Sequence, residues 1–249
     1  MHQDTLRRAL AEFIGTFTLI FVGAGSIIAA HTIEDPSLIG IAIAHGLAIG
    51  VMVAAYARIS GAHFNPAVTL GFLLTRRIKP ALGLVYWVAQ LAGATLGALL
   101  LEGLLPSANV DAVNLGVPAL GHGVHAAAGA TIEGILTFLL VTVVFGTAVD
   151  EKGAFKSIAA LAIGLTITID ILIGGPFTGA AMNPARAFGP QLVGGYWTDG
   201  WVWYVGPLLG GGLAALVFDF LYLRPTAPEP VGTAESGVLE PGIGKASAS

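Results

Sequence analysis

Cysteine is absent from the 249 residues, which excludes disulfides, thiolate metal sites and thiol redox chemistry. Charge is scarce: Asp, Glu, Lys and Arg make up 10% of the chain, where a soluble domain carries about 25%. With 55% hydrophobic residues and a mean hydropathy of +0.82, the composition is that of an integral membrane protein. The net charge of −4 comes without any basic patch, so no nucleic-acid partner is expected. No N-x-[ST] acceptor, nucleotide-binding loop or metal-ligand cluster occurs. No cofactor, no metal and no catalytic residue are expected, and the chain does not read as an enzyme. The start, MHQDTLRRALAEF, is basic, but the apolar segment that follows is long and contains Glu12. It reads as a first spanning helix rather than a cleaved signal peptide.

What is present is organised around two short stretches, SGAHFNPAVT at 60–69 and FTGAAMNPARAFGP at 177–190. Each holds Asn-Pro-Ala: Asn65, Pro66 and Ala67, then Asn183, Pro184 and Ala185. Asn suits a helix N-cap, and Pro suits the first turn, where no N–H is needed. The apolar runs that follow, 66–74 and 184–193, make helices of roughly 13–15 Å at about 1.5 Å per residue. Neither crosses a bilayer core of about 30 Å, but two end to end nearly do. Interrupted helices in matching positions of two halves point to a transport site at the membrane midplane.

Six other runs are long enough to span: about 6–30, 38–57, 80–101, 126–149, 155–173 and 201–223. The fold class is therefore an all-α membrane protein of six transmembrane helices plus two re-entrant half-helices. The halves, about 6–103 and 126–223, match at an offset of 118: Asn65 with Asn183, Tyr86 with Tyr204, Gly93 with Gly211. AEFIGTF around Glu12 echoes IEGILTF around Glu133. Three spans per half is an odd number, so the second half lies inverted. In this topology Arg7, Arg8, Arg58, Arg76, Arg77, Lys79, Lys152, Lys156, Arg224 and Lys245 fall on one side, and only Arg186 does not. The positive-inside rule then makes both termini cytoplasmic. The connection 106–125, with no Lys or Arg, is outside. One channel domain covers 1–224, and 225–249 reads as a disordered cytoplasmic tail. Small residues such as Gly15, Gly93 and Gly210 stripe the spans and let helix backbones approach closely.

The paired motifs, at this spacing, resemble those of the aquaporin (major intrinsic protein) family, over roughly 6–223. AVDEKG and ILIGGPFTGAAMNPARAFGP are most similar to the tonoplast-type branch. The N-terminus and tail differ from plant forms, and the chain is read as a bacterial member in a prokaryotic cell (inner) membrane. The resemblance implies one pore per subunit and a homotetramer, with water, small neutral solutes and membrane lipid as partners.

If Oδ1 of each Asn caps its own helix, Nδ2 of Asn65 and Asn183 is left as a donor toward the lumen. A passing water must offer its oxygen to both, so its hydrogens point away and relay no proton past the centre. The positive ends of the half-helices meet there and oppose cations. The family's filter positions, carried over by spacing from the two Asn residues, are His45, Ile171, Ala180 and Arg186. Water-only members place an aromatic and a His where this chain has His45 and Ile171. The exchange widens the constriction and makes one wall apolar, which favours water plus ammonia, urea or hydrogen peroxide. Glycerol facilitators carry an acid after the filter Arg and a base four residues on; here those are Ala187 and Gln191. His122 matches a loop histidine aimed at the filter Arg in the tonoplast-type branch. His63 is a vestibule candidate at the cytoplasmic side, and His125 a solvated loop residue. Glu12 and Glu133, by family resemblance, support the half-helices. Asp170 stands where the family has a small or neutral residue.

The expected function is a passive water channel with a relatively wide filter. The alternative is a facilitator whose main cargo is glycerol, urea or ammonia. An active transporter would need a lumenal carboxylate, for which Asp170 is the candidate; a junction-forming structural protein would not need Asn65, Asn183 and Arg186. Because the chain has no thiol, water flux through it should resist mercurials in stopped-flow light scattering, and block at a low dose would contradict a simple pore.

Overall fold

The computed structural model describes residues 3–35, 37–150 and 156–224. The tail 225–249, Lys152 and Lys245 lie outside the described residues, so the expectations placed on them are not addressed by it. All regular structure among the described residues is helical. Six helices are long and apolar enough to cross a membrane: α1 (Gln3–Thr32), α2 (Leu38–Ser60), α4 (Pro80–Leu104), α6 (Ala126–Val149), α7 (Ala159–Thr178) and α9 (Val202–Leu223). The half-helices are α3 (Pro66–Leu74) and α8 (Pro184–Gly194).

Local chemistry sets the boundaries. Ser37 caps α2, accepting the Gly40 N–H at 3.2 Å, and Gly61 ends it at φ 90°, a conformation that costs glycine little. Pro80 and the two motif prolines occupy first helical turns. Inside the spans, Thr hydroxyls donate to the carbonyl one turn back, as Thr142 does to Phe138 at 2.8 Å. That satisfies the hydroxyl within its own helix, where no water can. The fifth span begins at Ala159, later than the apolar run suggests, behind a short 3-10 turn at Lys156–Ile158. The connection 106–125 is more built than expected. It holds a short helix, α5 (Ser107–Ala112), and a 3-10 turn at Asn114–Gly116, which bury Val110 and Leu115. The outer faces carry exposed Leu84, Val88, Ile173 and Leu209, as a lipid-facing surface requires.

Packing follows an inverted repeat. α1 lies on α4 as α6 lies on α9; α4 holds α8 as α9 holds α3; α2 and α7 pack on each other. At that last contact Gly46 meets Gly164, 118 positions on: a Cβ on either would press on the other's carbonyl oxygen. Residues that touch their own repeat mates mark the pseudo-twofold axis. The offset is not 118 throughout, however. Tyr86 donates to the Ser60 carbonyl at 2.5 Å, and its counterpart in the second half is Trp203, whose Nε1 donates to the Thr178 carbonyl at 2.9 Å. Gly93 sits against the Phe13 carbonyl and Gly210 against that of Gly134. The α4/α9 register is therefore 117, and the pairings of Tyr86 with Tyr204 and Gly93 with Gly211 are corrected to Trp203 and Gly210. A loop between half-helix and span can lose a residue freely, so contacts, not residue identity, fix the mates.

Arg8, Arg58, Arg77 and Lys79 border one recess at one end of the bundle. Arg77 pairs there with Asp219 of α9 at 2.9 Å. Placing a methyl or more on Gly210 should separate α6 from α9. Gly210→Val is expected to cost about 1–3 kcal/mol by overpacking, read as a lower unfolding temperature in detergent, with Gly103→Val, which meets no neighbour, as the unaffected control.

Candidate functional site: a cavity between two helix starts

Two buried carboxylates build the site. Glu12, fully buried on α1, accepts the His63 and Phe64 N–H groups at 3.0 and 2.6 Å and the Ser60 hydroxyl at 2.6 Å. Glu133 on α6 accepts the Ala181 and Met182 N–H groups at 2.9 and 2.7 Å and the Thr178 hydroxyl at 2.7 Å. Each carboxylate thus clasps two successive amides just before its Asn-Pro-Ala. The clasp holds a strained backbone: Ala62 and Phe64, and their mates Ala180 and Met182, all have left-handed φ between 43° and 52°. Such residues cost about 1–3 kcal/mol each. Hydrogen bonds to a charged group return about 1.5–3 kcal/mol each, so three or more per loop suffice to hold it.

The asparagines do more than cap. Asn65 Oδ1 accepts the Ala67 N–H at 2.8 Å, and Asn183 Oδ1 accepts those of Ala185 and Arg186 at 3.0 and 3.3 Å. Their amides then cross the pseudo-axis. Asn65 Nδ2 donates to the Met182 carbonyl at 2.9 Å, and Asn183 Nδ2 to the Phe64 carbonyl at 2.8 Å. The expectation of Nδ2 as a donor toward the lumen is modified: one hydrogen of each amide is committed to the opposite loop, and one remains. Pro66, Ala67, Pro184 and Ala185 are buried in the first turns behind them.

A cavity of about 490 Å³ runs past both asparagines. His45, Ile171, Ala180 and Arg186 all line it, as does Val68, the repeat mate of Arg186. Arg186 is 3% exposed, and its Nη1 donates to the Gly116 carbonyl at 2.8 Å. No carboxylate lies within ion-pair distance of it among the described residues, so it is not a salt-bridge partner. Its Nε has no protein partner. His45 Nδ1 lies 2.9 Å from the Ile41 carbonyl. A carbonyl only accepts, so Nδ1 carries the hydrogen and Nε2 is left for the cavity. The ring rests against Gly23, inside a π-helical stretch of α1 at Leu19–Ala24; a Cβ there would lie 2.6 Å from His45 Cδ2.

His63 also lines the cavity, with Nδ1 3.1 Å from the Thr69 hydroxyl and its ring 4.2 Å from that of Phe72. His122 is exposed and is not among the lining residues. The contact from its loop to Arg186 comes instead from Gly116. His125 is exposed but not idle: its Nδ1 accepts the Ala128 N–H at 3.2 Å and caps α6. Asp170 is buried and does not line the cavity. The sequence reading missed Gly116, whose carbonyl carries no side-chain signal, and the cross-bonding Phe64 and Met182 carbonyls. Ser60 and Thr178 were missed as well, although a hydroxyl residue at each place, 118 apart, is a signal in the chain.

Two half-helices entering an inverted bundle of six spans, with their N-termini meeting at a lined cavity, define a multi-pass membrane channel. The chain matches the Major intrinsic protein family over residues 1–218 and belongs to it. It is 46% identical to the probable aquaporin TIP3-2 of Arabidopsis thaliana, across 92% of this chain and 88% of that one. It is 44% identical to aquaporin TIP4-4 of Zea mays, across 91% and 90%. Among solved structures it resembles the aquaglyceroporin from Plasmodium falciparum, with a TM-score of 0.79 at 27% identity over 87% of this chain and 96% of that one. The relatives are channels, not enzymes. The tonoplast-type likeness stands, whereas the expectation of a bacterial source and a prokaryotic inner membrane is unsupported, these sequence relatives being plant proteins.

Since a Cβ at position 23 would lie 2.6 Å from the His45 ring, Gly23→Ala should displace that ring where it lines the cavity. Water permeability in proteoliposomes is expected to fall severalfold, with Gly103→Ala unchanged.

Proposed function

We propose that this chain is a passive water channel that excludes protons and ions and has a relatively wide filter open to ammonia, urea and hydrogen peroxide. The observation that carries the reading is the reciprocal Asn65–Met182 and Asn183–Phe64 bonding beside Arg186 on one cavity. Each asparagine keeps one amide hydrogen for a passing water. Both hydrogens come from the midplane, so the water presents its oxygen to them and turns its own hydrogens outward along the file. Each half-helix contributes roughly half a positive charge at its start, and Arg186 adds a full one. Cations and hydronium meet the same barrier general to pores of this kind.

Four residues set the filter in this reading: Arg186 as donor and His45 Nε2 as acceptor, with Ile171 and Ala180 as apolar wall. Glu12 and Glu133 hold the two motif loops. His63 is a vestibule wall residue, and His122 a loop residue at the outer mouth. The channel domain spans 1–224, both termini are cytoplasmic, and the assembly is a homotetramer, as the family likeness and the basic end of the bundle support. The placement of Asp170 off the cavity leaves the active-transporter reading without its lumenal carboxylate. A glycerol facilitator is the second reading, favoured by the likeness to an aquaglyceroporin and disfavoured by Ala187 and Gln191.

Stopped-flow light scattering on purified protein in liposomes separates them. Wild type should show high water flux with urea and ammonia flux. His45→Phe/Ile171→His should keep water flux and lose the solutes. Glycerol flux that matches or exceeds water flux in the wild type would sink the water-channel reading.

A further inference from the structure

The recess at the basic end of the bundle has no part in the channel reading. It lies where the starts of α1 and α4 meet the end of α2, and it encloses about 730 Å³. Small-molecule sites enclose roughly 300–1,000 Å³. Four cations line it, Arg8, Arg58, Arg77 and Lys79, with one acid, Asp4. Asp4 accepts from Arg8 at 2.8 Å, and Arg77 pairs with Asp219 at 2.9 Å. Arg58 and Lys79 have no carboxylate within ion-pair distance among the described residues. Four cations against two acids leave a surplus of two positive charges.

The start of α4 adds to that surplus. It begins at Pro80 with no side-chain cap, and Ala81 and Leu82 of its first turn line the recess. Uncapped N–H groups of a first turn carry roughly half a positive charge together. The remaining wall is apolar, with Ile59, Ile78, Leu82 and Val85. Val88, one turn past Val85, is exposed, so the apolar wall continues along α4 onto the lipid-facing surface. A soluble anion has no use for such a wall. An amphiphile with a phosphate at one end does, and its charge is complementary to the rim. Basic pockets between spanning helices hold phosphorylated lipid headgroups in this way.

We propose that this recess binds the headgroup of an anionic phospholipid, with Arg58 and Lys79 on the phosphate and the first acyl carbons along Leu82 and Val85. Ala57, Arg58, Gly61, His63 and Phe72 border both the recess and the central cavity. A bound headgroup therefore sits beside one mouth of that cavity. The cytoplasmic placement of this mouth rests on the topology proposed above; the binding does not.

Native mass spectrometry of the full-length, delipidated protein in detergent tests it, with phosphatidylglycerol, phosphatidylcholine or inorganic phosphate added. Phosphatidylglycerol should bind on the order of twentyfold tighter than phosphatidylcholine, at roughly fivefold for each unpaired cation. Arg58→Gln/Lys79→Gln should lose that preference, and Arg58→Lys/Lys79→Arg should retain it. Arg7→Gln/Arg76→Gln removes the same charge from residues that do not line the recess, and should also retain it. Equal loss in the two Gln variants would mean attraction to the whole basic end and would overturn the proposal, as would equal binding of the two lipids by wild type. Inorganic phosphate that displaces the lipid mole for mole would make the recess a soluble-anion site instead. A preference that emerges only after Glu229, Glu235 and Glu240 are changed to Gln would assign the recess to the chain's own tail and equally overturn the lipid site.

Discussion

Everything at the centre of this molecule depends on one interaction made twice: a buried glutamate accepting two successive backbone N–H groups from the loop ahead of a half-helix. Without Glu12 and Glu133, the loops that hold the left-handed Ala62, Phe64, Ala180 and Met182 lose the charged acceptors that offset much of their strain. A membrane offers those amides no water as a substitute. The carboxylates gain in turn, because each would otherwise be an unpaired charge in an apolar bundle. Loop and acid are mutually required, which is why each glutamate sits at an equivalent place on the first helix of its half.

From that clasp the rest follows by geometry. It fixes where each half-helix starts, and the starts are close enough for each asparagine to donate to the opposite loop. The halves are thereby tied across the pseudo-axis by the same residues that face the cavity, so the site and the seam between repeats are one structure. The symmetry is broken where selectivity is needed. Val68 and Arg186 are mates on the same cavity, one apolar and one cationic. The Arg186 guanidinium is held by a carbonyl of the 114–116 turn, not by an acid, so its positive charge is left unneutralised by an ion pair.

Much of this was legible in the chain. Six apolar runs of helix-spanning length, two short ones behind Asn-Pro-Ala, and acids at matching places point to an inverted six-span fold, because a helix of that length satisfies its own backbone across lipid. Asn65 and Asn183 stood out by motif, Arg186 by a charge with no local reason, and His45 by register with the motif. The α4/α9 register was less legible: Tyr204 looked like the mate of Tyr86, but a one-residue difference in a loop made it Trp203. His125 looked like loop and is a cap, since a histidine one residue before a helix gives a weaker signal than Ser or Asn.

Hydropathy and motif spacing are properties of the chain alone, and they determined the spans, the half-helices and the repeat; the filter positions came from the family resemblance those motifs carry. Contacts between segments distant in sequence are not, and only the tertiary structure decided them. It gave the crossed amides of the asparagines, the Gly116 carbonyl on Arg186, the seat of the His45 ring on Gly23, and the turn of Asp170 away from the cavity. The physical reason is that a side chain's hydrogen bonds go to whatever donor or acceptor the packed helices bring within about 3 Å, and in three of these four cases that partner is backbone or glycine, which no residue pattern announces.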